Sequence, residues 1–329
     1  MLRSICTKVH FDFRRDMMKR FPNRFLACLF ALLMTFSVAL AETIQLQSLN
    51  DLPETNDEGF LNPGEPAVYY RNHEEGRWYF LSESVRVDIT RYQTSKPLLT
   101  WYIADIYCAE GTSLNTESWN PERPGRSEGL PQEMAQRVNA VYAQSSDFYS
   151  YRVDADKYPG HIVRNGEIIY SQSYSKTQAW LPNLATMGFF PSGKAEVNES
   201  WEMTAKQYVE RGATTVVAFG PILIRDGEIA DLSGDVFQYL EPRSCIGIID
   251  SGHYVGLLVE GRKNHSEGAT MQQCAEILYD YGCWDAINLD GGNSAAMLFM
   301  GESVQLTNNG GVDHNDRELP DILYVGTYN

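Results

Sequence analysis

Near the C-terminus an apolar run ends in Asn288-Leu289-Asp290-Gly291-Gly292-Asn293-Ser294, and a second apolar run resumes at once. Asp290 thus stands at a strand end, followed by backbone that glycine leaves free. Successive N–H groups in such a turn can form an anion-binding nest. A carboxylate beside an anion cradle suits chemistry on a sugar phosphate, although Asp-Gly-Gly alone also reads as a plain turn. Two arginines occupy comparable run ends: Arg243, beside Ser244, and Arg262, after Glu260-Gly261. Guanidinium binds phosphate bidentately; the alternative for each is a surface ion pair. Glu260 and Asp290 end neighbouring runs and can share one cleft. Asp147 is a further candidate carboxylate, or else a turn or cap residue. Asn288 serves either a sugar hydroxyl or the order of its own loop, and Ser294 either phosphate or the turn.

These groups need elements to hold them. Residues 245–250 and 254–260 are apolar runs joined through Ser251-Gly252, a hairpin signal. Thr270 followed by Gln273 makes a capping box. Met271, Cys274, Leu278 and Tyr281 then share one helical face, and Gly282 is a stop. The unit reads strand, turn, strand, helix, strand, Gly-rich loop, strand. Upstream, strands are predicted over 85–90 and 98–107, a long surface loop over 115–129, and helices over 131–144 and 199–211. Asn165-Gly166 and Asp226-Gly227 are hairpin turns. The pattern predicts an α+β fold, with mixed, largely antiparallel sheets and a few packed helices.

The order Glu241-Pro242-Arg243-Ser244, Ile246-Gly247, Val259-Glu260-Gly261-Arg262, Asn288 to Ser294 and Arg317-Glu318-Leu319-Pro320-Asp321 resembles the phosphodiester glycosidase family. Earlier blocks agree: Asp147 to Arg152, Gly160 to Gly166, and Phe219 to Gly227. The resemblance covers roughly residues 80–329. The family includes the lysosomal enzyme that uncovers mannose 6-phosphate by removing N-acetylglucosamine, and secreted bacterial proteins linked to exopolysaccharide. It implies that Asp290, Glu260 and Asp147 are catalytic. It also implies that Arg243, Ser244, Arg262, Asn288, Gly291, Gly292, Asn293, Ser294, Tyr149, Arg152 and His161 contact substrate. A lone histidine such as His161 also reads as a hydrogen-bonded structural residue, and aromatics such as Tyr149 as core.

The chain departs from the family pattern at four places. Ser145-Ser146 replaces Asn-Gly, Glu260 replaces Asp, Asn293 replaces Gly, and Ser244 replaces Thr. Each change is mild, but together they touch most of the site. Glycoside cleavage usually takes two carboxylates. Here the leaving group is a phosphomonoester with a second pKa of about 6, so one carboxylate with arginines suffices. No H-E-x-x-H, G-x-S-x-G or Walker loop is present. Ser173-Tyr174-Ser175-Lys176 fits S-x-x-K without its partner motifs. No oxygen-ligand loop is evident, and no cofactor is expected.

Residues 1–41 read as a signal peptide: Lys19, Arg20 and Arg24 precede an apolar core over 25–38, and Ala39-Leu40-Ala41 is a cleavage site before Glu42. Met18 is an alternative start, and a retained anchor is the other reading. The core is too short for a confident membrane span. Residues 42–79 read as an N-terminal arm or linker, and 80–329 as the phosphodiester glycosidase-like domain. The formal charge is −16; removing a leader with seven Lys/Arg and two Asp/Glu leaves −21. Such a surface repels nucleic acid and anionic lipid, so the expected partner is a carbohydrate or sugar phosphate. Cys108, Cys245, Cys274 and Cys283 include no C-x-x-C pair, and buried free thiols are expected. The expectation is a secreted hydrolase cleaving a glycosidic bond to a phosphodiester. The alternative is a glycan-binding or envelope-assembly protein that kept the fold without the activity.

Overall fold

The computed structural model describes residues 43–124, 127–147, 160–172, 184–233, 238–313 and 317–328. Within them the strands form three sheets. The first runs β1 (Ile44–Gln45), β2 (Val68–Asn72), β3 (Arg77–Leu81), β4 (Val85–Ser95), β5 (Leu98–Cys108), β16 (His253–Val259), β15 (Arg243–Asp250), β17 (Asp285–Asn288), β13 (Ile222–Arg225), β14 (Glu228–Ile229). The second runs β11 (Ala195–Asn198), β10 (Ala185–Phe189), β12 (Thr215–Phe219), β8 (Gly160–Arg164), β9 (Glu167–Gln172). The third runs β19 (Glu302–Ser303), β18 (Met297–Phe299), β7 (Ala140–Ser145), β20 (Asp321–Thr327), β6 (Asn115–Ser118). The β1–β2 pair is parallel, whereas the pairs around the site are antiparallel. With helices α1 (Pro131–Arg137), α2 (Ala205–Glu210) and α3 (Met271–Asp280), this is the α+β, largely antiparallel fold expected.

One apolar cluster joins the three sheets through residues such as Trp78, Ile106, Met187, Val217, Ile287, Phe299 and Leu323. On the opposite face of the first sheet, α3 packs Met271, Cys274 and Leu278 against Leu223, Leu257 and Ala286. The middle strands are therefore covered on both faces. That is why residues 245–250 and 285–288 read as continuous apolar runs rather than alternation. The Thr270–Gln273 capping box forms as expected. Asn165-Gly166 and Asp226-Gly227 adopt φ of 51 and 77°, and 53 and 75°, the left-handed pair that a tight hairpin needs. All four described cysteines are buried free thiols. Among the described residues no helix is long and apolar enough to cross a membrane.

Four expectations need correction. Residues 68–79, expected in the N-terminal arm or linker, instead belong to β2 and β3, which are strands of the first sheet, with Trp78 buried. The stretch 115–129 is not all loop, because β6 pairs with β20; Asn-Thr-Glu-Ser carries no apolar alternation to announce it. The helix predicted over 131–144 stops at Arg137. Asn139 turns left-handed at φ 49°, and 140–145 continues as the buried strand β7. Likewise α2 begins only at Ala205, where Thr204 caps it.

Candidate active site

Three loops meet where β7, β16 and β17 end and β15 begins, and glycines let their backbones touch. A Cβ on Gly261 would stand 2.7 Å from the Pro242 nitrogen, and one on Gly291 2.7 Å from the Pro242 oxygen. The Gly292 N–H donates to that same Pro242 oxygen at 2.8 Å. Leu289 N–H donates to the Ser244 carbonyl, and Asp290 N–H to the Ser146 carbonyl at 2.9 Å. Ser145 Oγ donates to the Asp290 carbonyl at 2.8 Å. The serine at 145 therefore supplies a hydroxyl that, with the Ser146 main-chain carbonyl, fixes the backbone of Asp290, which is itself partly exposed.

A cleft of about 330 Å³ opens on this junction, lined by residues including Pro242, Glu260, Arg262, Lys263, Gly292, Asn293, Gln305, Asn308 and Asp313. Arg262, left-handed at φ 58°, donates Nε to Glu241 at 2.6 Å and Nη1 to Asn293 Oδ1 at 2.7 Å. The side chain that replaces glycine at 293 thus ties the arginine to the Gly-rich loop. Nη2 has no acceptor among the described residues and lies 3.9 Å from the position of a Cβ on Gly292. Of the loop's amides, Gly292 and Ser294 donate to Pro242 and Gly291 carbonyls. The Gly291 and Asn293 N–H groups have no acceptor among the described residues. The cradle is accordingly two amides plus one guanidinium edge, not the whole run of amides.

Glu260 lines the cleft but does not have the surroundings of an acid/base. Oε1 accepts from Tyr102 Oη at 2.6 Å and from Leu306 N–H at 2.8 Å. Oε2 faces His265 Nε2 at 2.7 Å and Lys263 Nζ at 3.1 Å. The side chain is fully buried, and both oxygens are occupied, so it anchors the loops around it. Burial, followed by the Glu260 charge, pushes the Tyr102 phenol well above its ordinary value and keeps it a donor. Lys263 also reaches Asp313 at 2.6 Å.

The other assignments divide. Arg243 is buried, with Nε on the Ala269 carbonyl at 3.0 Å and Nη2 on the Tyr239 carbonyl at 2.7 Å. It ties β15 to the segments at Tyr239 and Ala269, and it is not among the residues that line the cleft. Asp147 is buried too: Oδ1 accepts the Ala218 N–H, and Oδ2 pairs with Arg164, which also reaches Asp321 at 3.3 Å. Burial alone would lower the Arg164 pKa, but Asp147 and Asp321 outweigh it and hold it raised. Asp147 therefore belongs to an internal ion triad, not to the cleft. Asn288 donates Nδ2 to the Gly220 carbonyl at 3.0 Å and so ties the end of β17 to the β12–β13 turn. Ser244 is buried against Gln144 and the Ser145 carbonyl, and Ser294 is buried in the turn. His161 is held between Ser171 Oγ at 3.2 Å and the Ser200 carbonyl at 3.0 Å, its pKa lowered by burial. Tyr149 and Arg152 lie outside the described residues. Of the expected set, Glu260, Arg262, Gly292 and Asn293 line the cleft, and Asp290 and Gly291 adjoin it. Sequence reasoning missed Lys263, Gln305, Asn308 and Asp313. Lys263 follows Arg262 directly and offered a signal; the polar 305–313 stretch offered none.

A model of the phosphodiester glycosidase family matches residues 138–326. The SPbeta prophage-derived protein YomE of Bacillus subtilis strain 168 is 29% identical over 125 residues, which is 37% of this chain and 19% of that protein. Among solved structures, the fold is similar to the catalytic domain of zebrafish N-acetylglucosamine-1-phosphodiester alpha-N-acetylglucosaminidase auto-inhibited by its pro-peptide. That match has a TM-score of 0.56 at 16% identity over 74% of this chain and 84% of that one. A hypothetical protein from Synechocystis matches with a TM-score of 0.51 at 13% identity over 80% and 64%.

Proposed function

The chain belongs to the phosphodiester glycosidase family, and from that premise we propose that it hydrolyses the glycosidic bond of a sugar-1-phosphodiester in an extracellular or cell-envelope glycan. The observation that carries this reading is the cradle beside Asp290. Arg262 Nη2 and the Gly291 and Asn293 amides face no protein acceptor among the described residues. In a chain of net charge −16, such donors suit a phosphate oxygen. Asp290 supplies the carboxylate, as acid/base or nucleophile. The phosphomonoester leaving group, of second pKa about 6, departs without strong acid assistance. Asp290→Asn keeps size and one acceptor oxygen but removes charge and proton transfer. It is expected to abolish release of phosphomonoester from a sugar-1-phosphodiester while thermal melting stays unchanged. Undiminished turnover by a folded variant would demote Asp290 to a turn residue.

The second reading, a glycan-binding protein without turnover, is favoured by the commitment of Asp147 to Arg164 and of Glu260 to four donors. Glycosidases usually keep two working carboxylates. Failure of the intact protein on every sugar-1-phosphodiester in a panel, with glycan binding retained, selects that reading. Export is part of the proposal. It rests on the composition of residues 1–41, and N-terminal sequencing of the cell-free protein is expected to begin at Glu42. A membrane-bound product retaining residues 19–41 would refute it.

A further inference from the structure

The strand β15 begins beside the candidate active site and ends, roughly 23 Å away at the usual rise per residue, on a second and larger cleft. This cleft has a volume of about 660 Å³ and is walled by residues that include Lys194, Glu196, Arg211, Asp250 and Trp284. Its walls are joined backbone to backbone. Gly252 N–H donates to the Gly193 carbonyl at 2.9 Å, and a Cβ on Gly193 would stand 2.7 Å from the Gly252 nitrogen. Ser251 Oγ donates to the Ser192 carbonyl at 2.7 Å. The cavity is therefore preformed, as small-molecule sites usually are.

Trp284 is 55% exposed, unusual for so large an apolar side chain, and it is not loosely held. Its backbone N–H donates to the Ile248 carbonyl at 2.7 Å, its backbone carbonyl accepts the Gly227 N–H at 2.8 Å, and its ring lies 3.1 Å from the position of a Cβ on Gly227. The main chain beneath the indole is thus pinned on both sides, and the ring rests against Gly227 with its other face exposed. The charges around it cancel: Arg211 is paired with Glu196 at 2.5 Å, and the cleft's remaining charges are one cation, Lys194, and one anion, Asp250. Lys194 is exposed and has no ion-pair partner among the described residues.

We propose that this cleft is a second carbohydrate subsite, which binds a neutral pyranose unit by stacking it on Trp284 and hydrogen-bonding its hydroxyls to Lys194 and Asp250. A sugar ring offers an apolar C–H face to an indole and a rim of hydroxyls that donate and accept, which matches one ammonium and one carboxylate of opposite sign. A net-neutral cleft gives no preference to a phosphate. The site's ligand class stands on its own chemistry; its use as a distant hold on a polymeric substrate rests on the glycosidase reading above.

Binding of maltohexaose, cellohexaose and chitohexaose to the full chain, measured by titration calorimetry, tests the idea. At least one sugar is expected to bind, Trp284→Ala to weaken it about 10-fold or more, as loss of a tryptophan anchor does, and Trp284→Tyr to retain most of the affinity. Turnover of a small sugar-1-phosphodiester is expected to be unchanged in Trp284→Ala. No binding by the intact protein, or binding indifferent to Trp284→Ala, overturns the subsite while leaving the turnover reading intact. Trp284-dependent binding without any turnover supports the subsite and counts against the glycosidase reading instead.

Discussion

Glu260→Gln separates an anchoring carboxylate from a catalytic one. The amide has nearly the same shape, so no cavity forms, but it has one acceptor oxygen where the carboxylate has two. If that oxygen stays on Tyr102 and Leu306 N–H, the new NH₂ faces Lys263, 3.1 Å from the position of Oε2. If it flips, the NH₂ faces two donors on the other side. Either way, charge-assisted bonds worth about 1.5–3 kcal/mol each are lost. The neutral amide recovers part of the desolvation, and Lys263 keeps Asp313. The net loss is about 3 kcal/mol, at the low end for breaking a buried ion pair. For a domain of this size that lowers Tm by about 6–12 °C. Urea denaturation gives the free energy, and turnover of a sugar-1-phosphodiester below the melting range gives the activity. A variant as stable as the parent but without turnover would refute the anchoring argument and restore Glu260 as an acid/base.

Two other perturbations follow from the same geometry. Gly291→Ala drives a Cβ to 2.7 Å from the Pro242 oxygen, so it should cost about 1–3 kcal/mol as an overpacked site. Gly292→Asn, at φ 60° with only Arg262 Nη2 near its Cβ, at 3.9 Å, should cost less than Gly291→Ala; the reverse order in denaturation midpoints would show that the loops do not pack as described. His161 has a folded pKa below its ordinary 6.5 because it is buried. The unfolded chain therefore binds the extra proton first, and this residue's stabilising effect is present above pH 6.5 and lost as pH falls below it. His161→Gln should flatten the decline of stability just below pH 6.5 relative to the parent, and parallel curves would refute that contribution.

The turns and the α3 cap were legible because their causes are local. Asn165-Gly166, Asp226-Gly227 and Thr270 with Gln273 act within four residues. The strand β7 was misread because residues 140–143 are apolar at every position, which suits a buried helix as well as a buried strand; Asn139 was the overlooked stop. At the site, residue type alone did not separate Arg243 from Arg262. Both follow the same logic in sequence, and only burial under Tyr239 and Ala269 turns the first into a buttress. Glu260 lines the cleft, but its bonding is that of an anchor rather than of an acid/base. Lys263 and His265 are local partners, but its other two donors come from Tyr102 and Leu306, 158 and 46 residues away, and no local pattern announces those.

The order of the ten-stranded sheet also bears on how a nascent chain acquires the cleft. Strands β2 to β5 are neighbours in sequence and in space, so that meander closes through short loops. The site does not: Ser145 meets Asp290 across 145 residues, and β17 must insert between β15 and β13. Contacts that span so much chain form slowly. Until residues 285–288 arrive, β15 and β13 each present an unpaired apolar edge, the kind that captures another chain. A ribosome-bound or truncated product ending near residue 280 would hold a folded meander, no cleft and two sticky edges, so the last seventh of the polypeptide decides between assembly and aggregation.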